Sequence, residues 1–133
     1  MAESVGKLYI VSTPIGNLGD MTYRAVELLK NVPMIAAEDT RHSRILMSHY
    51  DISTPLISYY EHNRFTRIPK IINHINSGKD LAVITDAGTP GISDPAYKLM
   101  REALVHDICI ESIPGASASL AALVSSGLPT DRF

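Results

Sequence analysis

The chain is poor in most features that mark a specialised protein class. It has one cysteine in 133 residues, Cys109, set between Ile108 and Ile110. A lone cysteine cannot build a disulfide framework, and its apolar neighbours predict a reduced thiol in the core of a cytoplasmic protein. No run approaches the ~20 apolar residues of a membrane span, so no membrane partner is expected. The opening MAESVGKL has no signal-peptide core. Charge is modest at 20 %, beside 45 % hydrophobic residues, which excludes disorder and fits an ordinary globular domain. The net charge of −2 carries no overall signal for a polyanionic partner. Neither G-x-G-x-x-G nor G-x-x-x-x-G-K-[ST] occurs, which disfavours a dinucleotide fingerprint and a phosphate-cradling loop. No metal site is expected: Glu38, Asp39 and His42 stand close in sequence, but Asp39 with Arg41 is more simply an ion pair.

The charge that is present is unevenly spread. Residues 40–79 hold Arg41, Arg44, Arg64, Arg67, Lys70 and Lys79 against Asp51 and Glu61, so this stretch is +4 and the rest −6. Four of the five histidines, His42, His49, His62 and His74, fall there too. Solvated helix faces would give this pattern, and so would a surface for a polyanion.

Five apolar, β-prone runs stand out: LYIVS (8–12), MIAAE (34–38), LISYY (56–60), LAVIT (81–85) and ICIESI (108–113). Helical stripes lie between them. Met21, Ala25, Leu28 and Leu29 share one face, as do Ile68, Ile71, Ile72 and Ile75, with Pro69 tolerable if it falls in the first turn. Ala96, Met100, Ala103 and Leu104 form a third stripe, with Asp94 as cap and Pro95 at the first helical position. TRHSRILMSHY (40–50) reads as a helix with a weak stripe, and Ser117–Ser125 as a last helix stopped by Gly127 and Pro129. Alternating strands and helices predict an α/β fold: an open, mainly parallel five-stranded sheet flanked by helices. Ligands of such sheets sit beyond the carboxyl ends of the strands.

That rule selects the loops STPIGNLGD, AEDTRH, YYEHNR, DAGTPGISDP and PGASAS. DAGTPGISDP (86–95) combines a strand-end carboxylate, Asp86, with glycines that admit close backbone approach and prolines that stiffen the turn. A tight turn with no ligand would use the same residues. STPIGNLGD (12–20), whose Asp20 leads toward the first helix, and PGASAS (114–119) repeat the design, and three such loops at one edge suggest a floor for a flat small molecule. No loop is rich in lysine, so the molecule need not be a polyphosphate.

LYIVSTPIGNLGD, AAEDTRHSR, SYYEHN, DAGTPGISDP and IPGASASLAAL…SGLPTDRF, in this order, resemble the tetrapyrrole methylase superfamily, from Leu8 to Phe133. Its porphyrin-modifying branch usually has G-x-G-x-G-D after the first strand. TPIGNLGD instead resembles the branch that 2′-O-methylates the ribose of a cytidine in small-subunit ribosomal RNA. The resemblance implies S-adenosylmethionine as methyl donor, bound between two α/β domains, and a homodimer. It also implies that 1–127 is the N-terminal domain and 128–133 the start of a linker to a C-terminal domain, so that this segment alone would bind the donor weakly and be inactive. Transfer to a tetrapyrrole or other small acceptor on the same scaffold is the competing enzyme reading, and the basic 40–79 stretch argues against it. A non-catalytic nucleotide-binding or dimerisation module is the reading from another class.

Mapped onto this chain, the resemblance implies donor contacts from Pro14, Ile15 and Gly16, from Gly88, Thr89, Pro90 and Gly91, and from Pro114, Gly115 and Ala116. Ile92 would pack on the adenine, and Asp86 would accept from ribose or amino groups or else anchor its own turn. Removing the hydroxyl proton needs a base held against it, so position outranks pKa. Glu38, Asp39, Glu61 and His62 are the possible acceptors, with Glu61 or His62 preferred to Asp39, and each is equally readable as a cap or ion pair. Arg41, Arg44 and Arg64 would contact RNA phosphates. Of Tyr59 and Tyr60, strand alternation turns one into the core and leaves the other for stacking.

Overall fold

A computed structural model describes residues 5–133. The chain alternates β1 (Leu8–Val11), α1 (Tyr23–Asn31), β2 (Ile35–Ala37), α2 (Thr40–His49), β3 (Leu56–Ser58), α3 (Arg64–Asn76), β4 (Leu81–Ile84), α4 (Ala96–Val105), β5 (Ile110–Ile113) and α5 (Ala118–Ser126). All five strands are parallel, in the order β3-β2-β4-β1-β5. The expected α/β architecture is therefore present. The central strands are wrapped on both faces, so β2 and β4 are buried at every residue, while β3 and β5 at the edges are not.

Strand alternation divides the core in two. Leu8, Ile10, Ala36, Leu81 and Val83 face α3 and α4, packing on Ile71, Ile72, Ile75, Leu99 and Ala103. Val11, Ile35, Ala37, Ala82 and Ile84 face α1 and α2, packing on Ala25, Leu29 and Met47. Tyr59 turns into the first of these cores and is 2 % exposed, while Tyr60 is 40 % exposed, as alternation requires.

Several local expectations need correction. Cys109 is exposed, not a core residue. It precedes the edge strand β5 on the α1–α2 face of the sheet, where Ile113 at the far end of the strand is buried but Glu111 and Cys109 itself are exposed. Pro69 lies in the second turn of α3, since the helix already starts at Arg64. It is tolerated there because the surface of the helix at Pro69 is exposed, so water can satisfy the freed carbonyl. Asp20 closes a short 3-10 turn (Leu18–Asp20), and α1 is capped by Thr22, whose Oγ1 accepts from the N–H of Ala25 at 3.1 Å. Met21 consequently precedes the helix. α4 starts at Ala96, one residue later than expected, with Pro95 at its N-cap, and Asp94 Oδ1 holds this entry by accepting from the N–H groups of Ala96 (2.8 Å) and Gly91 (2.9 Å).

α5 buries none of its side chains, and Leu120, Val124 and Leu128 stand 49 %, 70 % and 64 % exposed. Among the described residues no helix is long and apolar enough to cross a membrane.

Candidate functional site

β4 and β1 are neighbours, yet the chain leaving β1 runs to the α1 face and the chain leaving β4 to the α4 face. Such a reversal opens a crevice at the carboxyl edge. Here it is stitched. Thr13 and Gly88 exchange both backbone hydrogen bonds, at 2.9 and 3.0 Å. Ser12 Oγ lies 2.8 Å from Thr89 Oγ1, which in turn donates to the Ala116 carbonyl at 3.2 Å. The loops after β1, β4 and β5 thus form one surface. Glycine is required where they meet. A Cβ at Gly115 would lie 3.0 Å from Ser12 Cβ, and Gly88 has φ +81° with a Cβ position 3.3 Å from Ile15 Cγ2.

Within that surface Pro14, Gly88 and Pro90 are buried in the stitching and fix backbone shape. Ile15, Gly16, Ile92, Pro114 and Gly115 are exposed above it, with Thr89, Gly91 and Ala116 half-buried between them. The loop at 86–95 separates two hollows. On the α2 side a cavity of about 290 Å³ runs between the β1 loop, the first turns of α2 and Thr85–Ala87. On the α4 side an open depression of about 520 Å³ is bordered by Glu38, Glu61, Gly91 and Asp94. Asp86 lines the first. His42 Nε2–H donates to the Asp86 backbone carbonyl at 3.1 Å, but no group among the described residues donates to the Asp86 carboxylate, and its Oδ1 is buried.

Three of the candidate bases, Asp39, Glu61 and His62, do not converge. Glu61 is held by Lys98 Nζ at 2.8 Å and by Arg64. His62 lies on the loop after β3, edge-on to the Tyr60 ring. β3 is two strands from β4, which at ~4.8 Å per strand sets Glu61 and His62 roughly 10 Å from the crevice. Asp39 follows β2, next to β4, and caps α2. Its Oδ1 accepts from the N–H groups of Arg41 (3.0 Å) and His42 (3.4 Å). Those bonds, first from His42 and then from Arg41, hold its carboxyl below the usual carboxylate range.

Arg41 and Arg44 project from α2 and are exposed. Arg41 Nε approaches Asp39 at 3.8 Å, the pairing read from the sequence. Arg64 is otherwise engaged, paired with Glu61 and lying over the Phe65 ring at 4.4 Å. Lys79 precedes β4 and so stands at the opposite edge of the sheet. The basic stretch is therefore not one patch: Arg41 and Arg44 stand on α2, Lys70 on α3 and Lys79 before β4. Among the described residues no group of three or more His, Cys, Asp and Glu is arranged to hold a metal.

Sequence reasoning missed Ser12 and Thr13 as stitches, and Asn17 and Ser43 as cavity residues. Ser43 had a legible signal: it shares the inward stripe of α2 with Leu46 and Met47. It is 3 % exposed, with a buried Oγ that has no partner among the described residues.

Residues 7–133 match the family described as Tetrapyrrole (Corrin/Porphyrin) Methylases. The chain is 54 % identical over 129 residues to a Synechocystis protein named Ribosomal RNA small subunit methyltransferase I, covering 97 % of this chain and 46 % of that protein. It is 49 % identical over 131 residues to the protein of the same name from Halalkalibacterium halodurans, covering 98 % and 45 %. The chain thus spans about half the length of the curated relatives it matches. Among solved structures it superposes on uroporphyrin-III-C-methyltransferase from Thermus thermophilus with a TM-score of 0.69 at 20 % identity, covering 93 % of this chain and 53 % of that one. It superposes on a cobalt precorrin-4 methyltransferase with a TM-score of 0.71 at 19 % identity, covering 90 % and 50 %. These two likenesses establish the fold.

Proposed function

Because the chain belongs to the tetrapyrrole methylase family, we propose that it is the N-terminal half of a cytoplasmic, homodimeric enzyme that methylates a ribose 2′-hydroxyl of a cytidine in small-subunit ribosomal RNA. The observation that carries this reading is the stitched surface of three glycine-rich loops at the β4/β1 crevice. Relatives at about half identity carry the name of a small-subunit ribosomal RNA methyltransferase, which supports RNA over a tetrapyrrole as acceptor.

The surface fits S-adenosylmethionine on its own chemistry. Positive φ at Gly16, Gly88 and Gly91 leaves backbone where side chains would otherwise stand, and exposed Ile15 and Ile92 offer apolar contact to a flat ring. Residues 14–16, 88–92 and 114–116 would hold the donor, which when bound supplies an electrophilic methyl group. The chain's own task is then to hold the acceptor ribose and take its proton. We assign the proton to Asp39. It follows β2, the strand next to β4, its Oδ1 is fixed by backbone N–H groups, and among the described residues no group donates to its Oδ2. Arg41 and Arg44 would hold the RNA backbone over α2. The bare apolar surface of α5 supports the reading that a further domain or subunit completes the cleft.

The test is calorimetric titration of S-adenosylmethionine into the full-length enzyme and its Gly88→Val variant, with circular dichroism on both. Binding by the parent, lost in a still-folded variant, is the expected result. Normal binding by the variant would remove these loops from the donor site.

A further inference from the structure

Resting on the assignment of the glycine-rich loops to the methyl donor, we infer that the cavity beside α2 receives the acceptor nucleobase of the RNA, and that Asp86 and Asn17 read it as a base carrying an exocyclic amine. The cavity adjoins the donor surface without being part of it. It shares Pro14, Gly16 and Asp86 with the loop set, but none of residues 88–92 or 114–116 lines it. At about 290 Å³ it sits at the small end of the ~300–1,000 Å³ range of ligand pockets, the size for one heterocycle. Its walls are largely apolar, from Pro14, Leu18, Ile45, Leu46 and Ala87.

The polar groups left unspent in this cavity define the edge that would be read. The Asp86 carboxylate accepts from nothing among the described residues, and its Oδ1 is buried. Asn17 spends Oδ1 on the N–H of Gly19 at 3.0 Å, and among the described residues nothing accepts from its Nδ2. Ser43, 3 % exposed in the same wall, holds a buried Oγ with no partner among the described residues. Buried polar groups without partners are costly, and at a cavity they mark where a ligand completes the set. A carboxylate accepts from an exocyclic amine, as acidic side chains do from cytosine N4. The ring nitrogen beside that amine accepts from the Asn17 amide. Uracil is excluded by the same pair, since its O4 would meet a carboxylate and its N3–H an N–H donor. Access for an unstacked base comes past the first turns of α2, where His42 and Ile45 line the cavity and are exposed.

The adenine of the donor carries the same amine edge, so the experiment must separate the two sources. It uses the full-length enzyme with Asn17→Asp and Ala87→Phe. The first keeps an acceptor for the Gly19 N–H and replaces the free amide donor. The second fills the cavity from an exposed loop position without disturbing the core. Three quantities are read: the Kd for S-adenosylmethionine by calorimetry, the Kd for target-sequence RNA oligonucleotides carrying cytosine or uracil at the acceptor position by fluorescence anisotropy, and kcat/KM. Ala87→Phe is expected to weaken cytosine-RNA binding and lower kcat/KM at least tenfold with donor affinity unchanged. Asn17→Asp is expected to shrink the cytosine-over-uracil preference about tenfold or more, the worth of one base-edge contact. Loss of donor affinity with RNA binding intact would overturn the inference and give the cavity to adenine. Unchanged donor and RNA binding in both variants would overturn it as well. A parent enzyme that binds donor but transfers no methyl to RNA would instead fail the functional reading on which the inference rests, and the cytosine-against-uracil binding comparison reports that case separately.

Discussion

Single residues at the carboxyl edge carry roles that their types alone leave ambiguous. Asp39 is cap and proposed proton acceptor at once, and two substitutions separate the roles. Asparagine caps a helix as well as aspartate does, so Asp39→Asn should keep the melting temperature while kcat falls by 10² to 10⁴, the usual worth of a positioned base. Asp39→Ala should lower both. The pH dependence follows from the sign of the shift: backbone N–H groups depress the folded carboxyl below its ordinary value near 3.8. The contribution of Asp39 to stability is therefore full above about pH 4 and fades as pH falls through the depressed value, so the melting difference between parent and Asp39→Ala should narrow only in acid. Arg41→Ala should weaken RNA binding and flatten its dependence on salt by about one counterion, with donor affinity unchanged. An unchanged slope in filter-binding titrations would take Arg41 off the RNA surface. At this scale the sequence was least transparent. Gly88 and Gly115 could be picked out by their loops, and cap or ion pair could be read for Asp39 and Glu61, but which of these each residue is, and that Lys98 from α4 joins Arg64 on Glu61, depend on neighbours that only folding supplies.

Secondary elements were far more legible, for a physical reason. The central strands are apolar at every position because both faces are covered, and stripes such as Ile68, Ile71, Ile72 and Ile75 point to one face at helical spacing. What periodicity could not see was the edge. Cys109 carries the same flanks as a core residue, but it stands at the start of an edge strand and is exposed. Elements also hold one another through polar ties invisible to periodicity. Tyr59, after β3, donates its hydroxyl to the Pro95 carbonyl at the start of α4 at 2.6 Å, and burial pushes its pKa up to about 12. The folded state keeps that proton after the unfolded chain has lost it near pH 10. Stability should therefore be intact below pH 10 and decline between about 10 and 12. Tyr59→Phe should cost about 1 kcal/mol at neutral pH and remove part of that alkaline decline in denaturant titrations.

For the molecule as a whole, the strand order decides where chemistry can happen. With β4 and β1 adjacent and their loops leaving to opposite faces, the proposed donor surface and the proposed acceptor cavity share Pro14, Gly16 and Asp86. The bare apolar helix α5 lies just beyond the third loop of that surface, so coverage of α5 and completion of the cleft are expected to go together. Hydrogen exchange at residues 118–126 should accordingly be slow in the full-length enzyme and fast in residues 1–133 alone, and the latter should transfer no methyl group. The central claim, transfer to a ribose hydroxyl of small-subunit RNA, is tested most directly with methyl-labelled S-adenosylmethionine, full-length enzyme and undermethylated small subunits. After transfer, the RNA is cleaved with alkali. A 2′-O-methyl group blocks cleavage at its own linkage, so the account expects the label in an alkali-resistant dinucleotide. Label recovered in a mononucleotide would place the methyl on a base and contradict it, as would label that never enters RNA.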